Sequence, residues 1–165
     1  MREITEAVLE MHFHRAIVEH FSKVYRANFL RLLKPSPQRE VWVGFDQGWV
    51  HTKLTPEQLL QELSEAIQSS AQNVQHFYLG YFLQFKYVQK ITKRSYFMPE
   101  KYKTPYFRSE LSVKRNPRTK LSQHETLLRL SKIHSTKVCY VCAMLFDLAE
   151  IYAPPDLARL LCIDI

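Results

Sequence analysis

His76-Phe77-Tyr78-Leu79-Gly80-Tyr81-Phe82-Leu83-Gln84-Phe85-Lys86-Tyr87-Val88 is an aromatic run with one glutamine and one lysine set two residues apart. Its aromatic and aliphatic content predicts a strand. Side chains of a strand alternate between faces, so Leu83, Phe85 and Tyr87 share one face and Gln84 and Lys86 the other. The first face reads as core and the second as a site. A lysine inside such a run needs a reason, because an unpaired buried ammonium is costly. An edge strand whose lysine meets water and blocks sheet-to-sheet pairing is the alternative reason.

The rest of the chain bounds what that strand can belong to. With 165 residues, 46% of them hydrophobic and 13% aromatic, the sequence has the material for one folded domain with its own core. It contains no run of about 18 apolar residues of the kind a membrane span needs, and its start lacks the apolar core of a signal peptide. A soluble, cytoplasmic protein with no membrane partner is the expectation. Cys139, Cys142 and Cys162 form no framework of pairs. Cys139-x-x-Cys142 has zinc-like spacing, but it lies inside an apolar run with no second pair, and core cysteines are the preferred reading.

Basic charge is concentrated. The whole chain carries +7, whereas the segment from Gln84 to Lys120 carries 11 Lys/Arg against Glu100 and Glu110, a net +9. Tyr96, Phe97, Tyr102, Tyr106 and Phe107 are interleaved with those cations. Cations for phosphates and rings for bases or sugars make nucleic acid the expected partner, with a merely solvated charged surface as the alternative. Lys101, Lys103, Arg108, Lys114, Arg115 and Arg118 are the candidate contacts.

Taken in order, Thr5 opens a helix whose apolar spacing predicts that it runs to about Leu33, where Lys34-Pro35-Ser36-Pro37 stops it. Glu40 to Val50 alternates aromatic and β-branched residues around two glycines and predicts strand, bend and strand, with Asp46 at the bend. Thr55-Pro56-Glu57-Gln58 is a capping box that opens a second helix to about Ser70. After the opening strand and the basic loop, Ser122 starts another helix, Lys137 to Leu145 reads as a buried strand, and Pro154-Pro155 starts a short last helix. The apolar finish, Leu160-Leu161-Cys162-Ile163, predicts that residues 1–165 are one domain at the N-terminal part of a longer protein.

An acidic residue in Gly44-Phe45-Asp46, followed by a hydrophobic strand carrying Gln84-Phe85-Lys86 in an α-β-β-β-α-β order, resembles the PD-(D/E)XK nuclease superfamily. The resemblance spans most of the chain, and its specific part is three residues. It implies an α/β restriction-endonuclease-like core, a central mixed sheet flanked by helices. It also implies a Mg²⁺- or Mn²⁺-dependent endonuclease acting on DNA, with RNA as the alternative, of the kind found as effector domains of prokaryotic antiphage defence proteins. Asp46 would be the principal metal ligand, Gln84 and the backbone carbonyl of Phe85 would complete the protein's share, and Lys86 would serve the attacking water and the transition state.

The family also implies a glutamate from the first helix. Glu10 is the choice, with Glu6 and Glu19 as alternatives. Gln84 departs from the more common carboxylate, and the helix from Pro56 separates two strands that are more often direct neighbours. Gln123 reads as helix surface, and the histidines complete no catalytic pattern. Cutting both strands of a duplex calls for a homo-oligomer or a larger assembly. A catalytically inactive nucleic-acid-binding or adaptor module of the same fold is the alternative function.

Overall fold

In the computed structural model, residues 4–94, 96, 98, 100 and 103–165 are described. Two capping boxes start helices where the sequence predicts them. Thr55 and Gln58 exchange side-chain and backbone hydrogen bonds at the head of α3 (Pro56–Ser69), and Ser122 and Glu125 do so at the head of α4 (Gln123–Leu130). Helix α1 (Glu6–Tyr25) begins at Thr5, whose hydroxyl caps Val8 N–H, but it ends well before Leu33. Arg26 and Asn28 both take positive φ, which a right-handed helix cannot accommodate, and the helix ends there. The residues expected to finish the helix instead form β1 (Arg31–Leu33).

A second correction falls on Glu40 to Val50. Residues Pro37–Val43 are a helix, α2, with proline in its first turn and Gly44 as its left-handed cap at φ 79°. Only Gln47–Thr52 is a strand, β2, so Asp46 is not the tip of a hairpin but the residue that leads into β2. The opening run forms β3 (Phe77–Lys86), and the predicted buried strand forms β6 (Thr136–Ala143). The expected last helix shrinks to a 3₁₀ turn at Leu157–Arg159, and the chain continues into β7 (Leu160–Asp164).

The structure is mixed α/β. One sheet has the order β1-β2-β3-β6-β7; every neighbouring pair is antiparallel except β3 and β6, which are parallel. Within the basic loop, β4 (Gln89–Ile91) and β5 (Tyr106–Arg108) pair as a small separate ribbon. No helix among the described residues is long and apolar enough to cross a membrane.

Both faces of the large sheet are covered. Leu9, Phe13 and Ile17 of α1 pack with Trp49, Leu83, Phe85 and Val141 on one side. On the other, Leu63 and Ile67 of α3 and Leu127 and Leu130 of α4 pack with Val50, Phe82 and Val138. The Phe82 ring leaves no room beside it: a Cβ on Gly80 would come within 2.7 Å of both Phe82 and Phe77. Period-two alternation thus explains Leu83 and Phe85 as predicted. The opposite face of β3 is core as well, and Gln84 and Lys86 are buried at its end rather than open to water. Cys139 and Cys142 belong to opposite packing clusters, so they cannot close on one zinc ion, and burial pushes the Cys139 thiol up to about 12.

Candidate active site

The pairing of β2 with β3 sets the geometry. Gln47 lies opposite Leu83, so the residue before it, Asp46, reaches the Gln84-Phe85-Lys86 end of the neighbouring strand. Asp46 N–H donates to Leu83 O at 2.9 Å, and Asp46 Oδ2 accepts from Phe85 N–H at 2.7 Å. The two candidate motifs are therefore hydrogen-bonded to each other. Burial raises the Asp46 carboxyl to about 7; the Phe85 N–H opposes this, Glu40 and Glu10 push it further up, and Lys34 pulls it down.

Lys86 is held by two elements from opposite sides of the sheet. Its Nζ lies 3.2 Å from Gln123 Oε1 at the first position of α4 and 3.4 Å from Glu6 Oε1 at the first position of α1. Its side chain is 7% exposed, so the ammonium is desolvated and draws on both partners. The reading of Gln123 as helix surface gives way here, because its half-buried amide is turned onto the lysine. Gln84 is 2% exposed; its Nε2 donates to Phe85 O at 3.4 Å, and its Oε1 is buried without a hydrogen-bond partner. An orphaned buried acceptor costs on the order of 1–3 kcal/mol.

The three first-helix glutamates separate. Glu10 Oε1 accepts from Gln47 Nε2 at 2.8 Å and is also paired with Lys34. Gln47 is itself fixed by Trp49, whose indole N–H donates to Gln47 Oε1 at 3.3 Å. Glu6 is the one in contact with Lys86 and also accepts from Tyr87 N–H. Glu19 pairs with Arg15 on the exposed surface of α1 and contributes nothing to this end of the sheet. Lys34, Glu40 and Gln47 were not singled out in the sequence. Glu40 was hidden by the reading of its segment as strand, although Pro37 and Gly44 mark the ends of a short helix. On that helix Glu40 sits close enough to Lys34, Glu10, Lys86 and Glu6 to feel each of them, and burial, the largest effect, raises its carboxyl.

A cleft of about 400 Å³ opens beside this cluster. Glu40 and Gly44 from α2 and Gln123 from α4 line it, with Lys114 and Arg115 from the basic loop. A smaller recess of about 210 Å³ lies against Glu6 and Tyr87 and is lined by Gln89, Arg108 and Glu110. Three of the predicted basic contacts thus flank the cluster. Arg108 is anchored to Gln89 at 2.8 Å and Arg115 to Glu125 at 2.8 Å. Lys103 and Arg118 are exposed outside both hollows, and Lys101 lies outside the described residues.

The donors here are hard oxygens suited to Mg²⁺ or Mn²⁺: the Asp46 carboxylate, the unpartnered Gln84 carbonyl and the Phe85 backbone carbonyl. A cation reaching the orphaned Gln84 oxygen and the upshifted Asp46 carboxyl would relieve both, and the chemistry of these donors suits one. Among the described residues, no three His, Cys, Asp or Glu side chains converge as a metal cage, so the glutamine and the backbone would share the task. Comparisons with protein families, curated proteins and solved structures found no match to this chain.

Proposed function

We propose that the chain is a metal-dependent endonuclease with a restriction-endonuclease-like core, hydrolysing phosphodiester bonds of DNA. The single observation that carries this reading is the hydrogen bond from Phe85 N–H to Asp46 Oδ2, which ties the acidic residue into the middle of Gln84-x-Lys86. The order of connection supports it. The order contains a helix, three antiparallel strands, a helix and a strand parallel to the third, the α-β-β-β-α-β arrangement that the resemblance implies, with α2, α3 and the β4–β5 ribbon as insertions and β7 as an addition.

Asp46, Gln84 Oε1 and the Phe85 carbonyl would hold a divalent cation. When bound, the cation supplies a Lewis acid for the phosphoryl oxygens and lowers the pKa of bound water. The remaining tasks fall to the chain. Lys86, desolvated and oriented by Glu6 and Gln123, presents a positive charge where negative charge grows on the phosphorane-like transition state. Glu10 and Gln47 brace the start of β2, which fixes the position of Asp46. Lys114, Arg115 and Arg108 lie where a polyanionic backbone would pass on either side.

Nicking of supercoiled plasmid with Mg²⁺ or Mn²⁺ tests the reading. Asp46→Ala and Lys86→Ala are each expected to lower the rate by about 10²-fold or more, with thermal unfolding checking that each variant is folded. Gln84→Glu should keep activity and tighten metal binding, since it adds a charge at the orphaned acceptor. Equal cleavage by wild type and both alanine variants would overturn the assignment. Metal-independent nucleic-acid binding without cleavage would identify the chain as an inactive binding module.

A further inference from the structure

We infer that the 400 Å³ cleft is a subsite for one unpaired nucleotide next to the scissile phosphate, so that the preferred substrate is single-stranded or locally opened nucleic acid. The inference rests on the nuclease reading for its orientation, because Gln123 and Glu40 belong both to the cleft and to the cluster around Lys86. Its volume lies at the lower end of the range for small-molecule sites, roughly 300–1,000 Å³. A base with its sugar fits such a space, whereas a base pair within a duplex does not, and enzymes that act on a single base admit it to a comparable pocket only after unstacking.

The lining has the chemistry of such a ligand. Pro37, Val41 and Leu121 give apolar wall for the faces of a base. Glu40 and Asn116 offer acceptors and donors for its edge. Asn116 Oδ1 is already used by Arg118 N–H, which fixes the side chain and leaves its amide N–H groups to donate. Lys114 and Arg115 at the rim supply positive charge for the phosphate that follows.

The test is binding without metal, in EDTA, so that no cleavage occurs. Fluorescence anisotropy of labelled oligothymidylate and of a blunt duplex of equal length is measured on the wild type and on two variants that fill the cleft from exposed positions, Val41→Trp and Ser112→Trp. Both are expected to weaken single-strand binding about tenfold, about 1.4 kcal/mol, and to change duplex binding less than about threefold. Thermal unfolding checks each variant, and the two positions lie on different segments, so failure of one to fold leaves the other. Unchanged single-strand affinity, or equal loss on both substrates, would overturn the subsite. Cleft-dependent binding by a protein that never cleaves would overturn the nuclease reading and leave the subsite standing.

Discussion

The two ends of the β2–β3 pair share a sheet and differ in almost everything else. At one end Phe29, His51 and Tyr78 lie ring against ring, with Phe29 and His51 stacked at 4.3 Å, and Thr52 closes the edge by donating to His76 O. At the other, Asp46, Gln47, Gln84 and Lys86 are gathered with Glu10, Glu6 and Glu40, and one acceptor has no partner. The first end is a partly exposed aromatic cluster whose His51 and Thr52 side chains are paired with backbone carbonyls. The second carries desolvated charges and an orphaned oxygen, which burial penalises and a ligand would reward. Stability is given up at the second end, and desolvated charges and unpaired polar groups of this kind gather at functional sites.

The contrast breaks most visibly by comparing a packed ring with the buried lysine. Phe82→Ala should cost about 3–5 kcal/mol, read from the urea midpoint, because Phe82 is fully buried between α3, α4 and the sheet. Lys86→Met keeps the volume and removes a desolvated charge; its carboxylate partner Glu6 is 43% exposed and can be hydrated alone, so the cost should be well below that of Phe82→Ala, while the proposed cleavage is lost. If the methionine variant unfolds as readily as the alanine variant, the lysine is structural and the site end is packed like the core beside it.

A smaller effect concerns pH. The Asp46 carboxyl is raised from 3.8 to about 7 in the folded state, so the folded protein holds a proton that the unfolded chain has released. The stability this gives is full below about pH 4 and is lost as pH rises through about 7. The urea midpoint should therefore fall across that window, and Asp46→Asn should flatten the fall. A residual slope of the same sign is expected from Glu40, whose carboxyl is also raised. A midpoint that climbs from pH 4 to 7 in the wild type, unaffected by the substitution, would mean that Asp46 is solvated. Since a cation competes with that proton, Mn²⁺ affinity should drop about tenfold per unit below pH 7.

How much of this the sequence carried depends on how local each signal is. Thr55 with Gln58 and Ser122 with Glu125 could be read outright, because a capping box is complete within four residues. The long strands β3 and β6 were legible from their apolar runs. β1 was not: Phe29-Leu30-Arg31-Leu32-Leu33 has no strand alternation, and its state is decided by pairing with Val50, Trp49 and Gly48 far along the chain. Val41-Trp42-Val43 favours strand by type, yet Pro37 and Gly44 bracket it as a helix. At the candidate site, Asp46 and Gln84-x-Lys86 were singled out through the resemblance their motifs carry, and the structure brings them side by side. Glu40 and Lys34 were lost with the misread segments, and the contact of Gln123 with Lys86 depends on a crossover that spacing does not encode.

The smallest expected effect lies at the rim. Arg115→Ala should leave the urea midpoint unchanged, because its pairing with Glu125 is solvent-exposed. It should reduce the slope of log K against log salt for nucleic acid by about one. An unaltered slope would place Arg115 outside the binding surface and leave Lys114 as the cleft's cation.

The parallel pairing of β3 with β6 has a consequence for how such a molecule can diversify. Parallel neighbours cannot be joined by a tight turn, so the chain between Lys86 and Thr136 must travel the length of the sheet and return. That detour holds the ribbon, the basic loop and α4; Val88 and Leu121 tie its two shoulders to the core, as Leu127 and Leu130 tie α4. None of the five strands of the large sheet lies between Val88 and Leu121, so changes of length there leave the registers of that sheet untouched. On the proposed nuclease reading, the basic loop that would grip nucleic acid could therefore vary while the sheet that holds Asp46 and Lys86 stays as it is, with Gln123 as the link between the two.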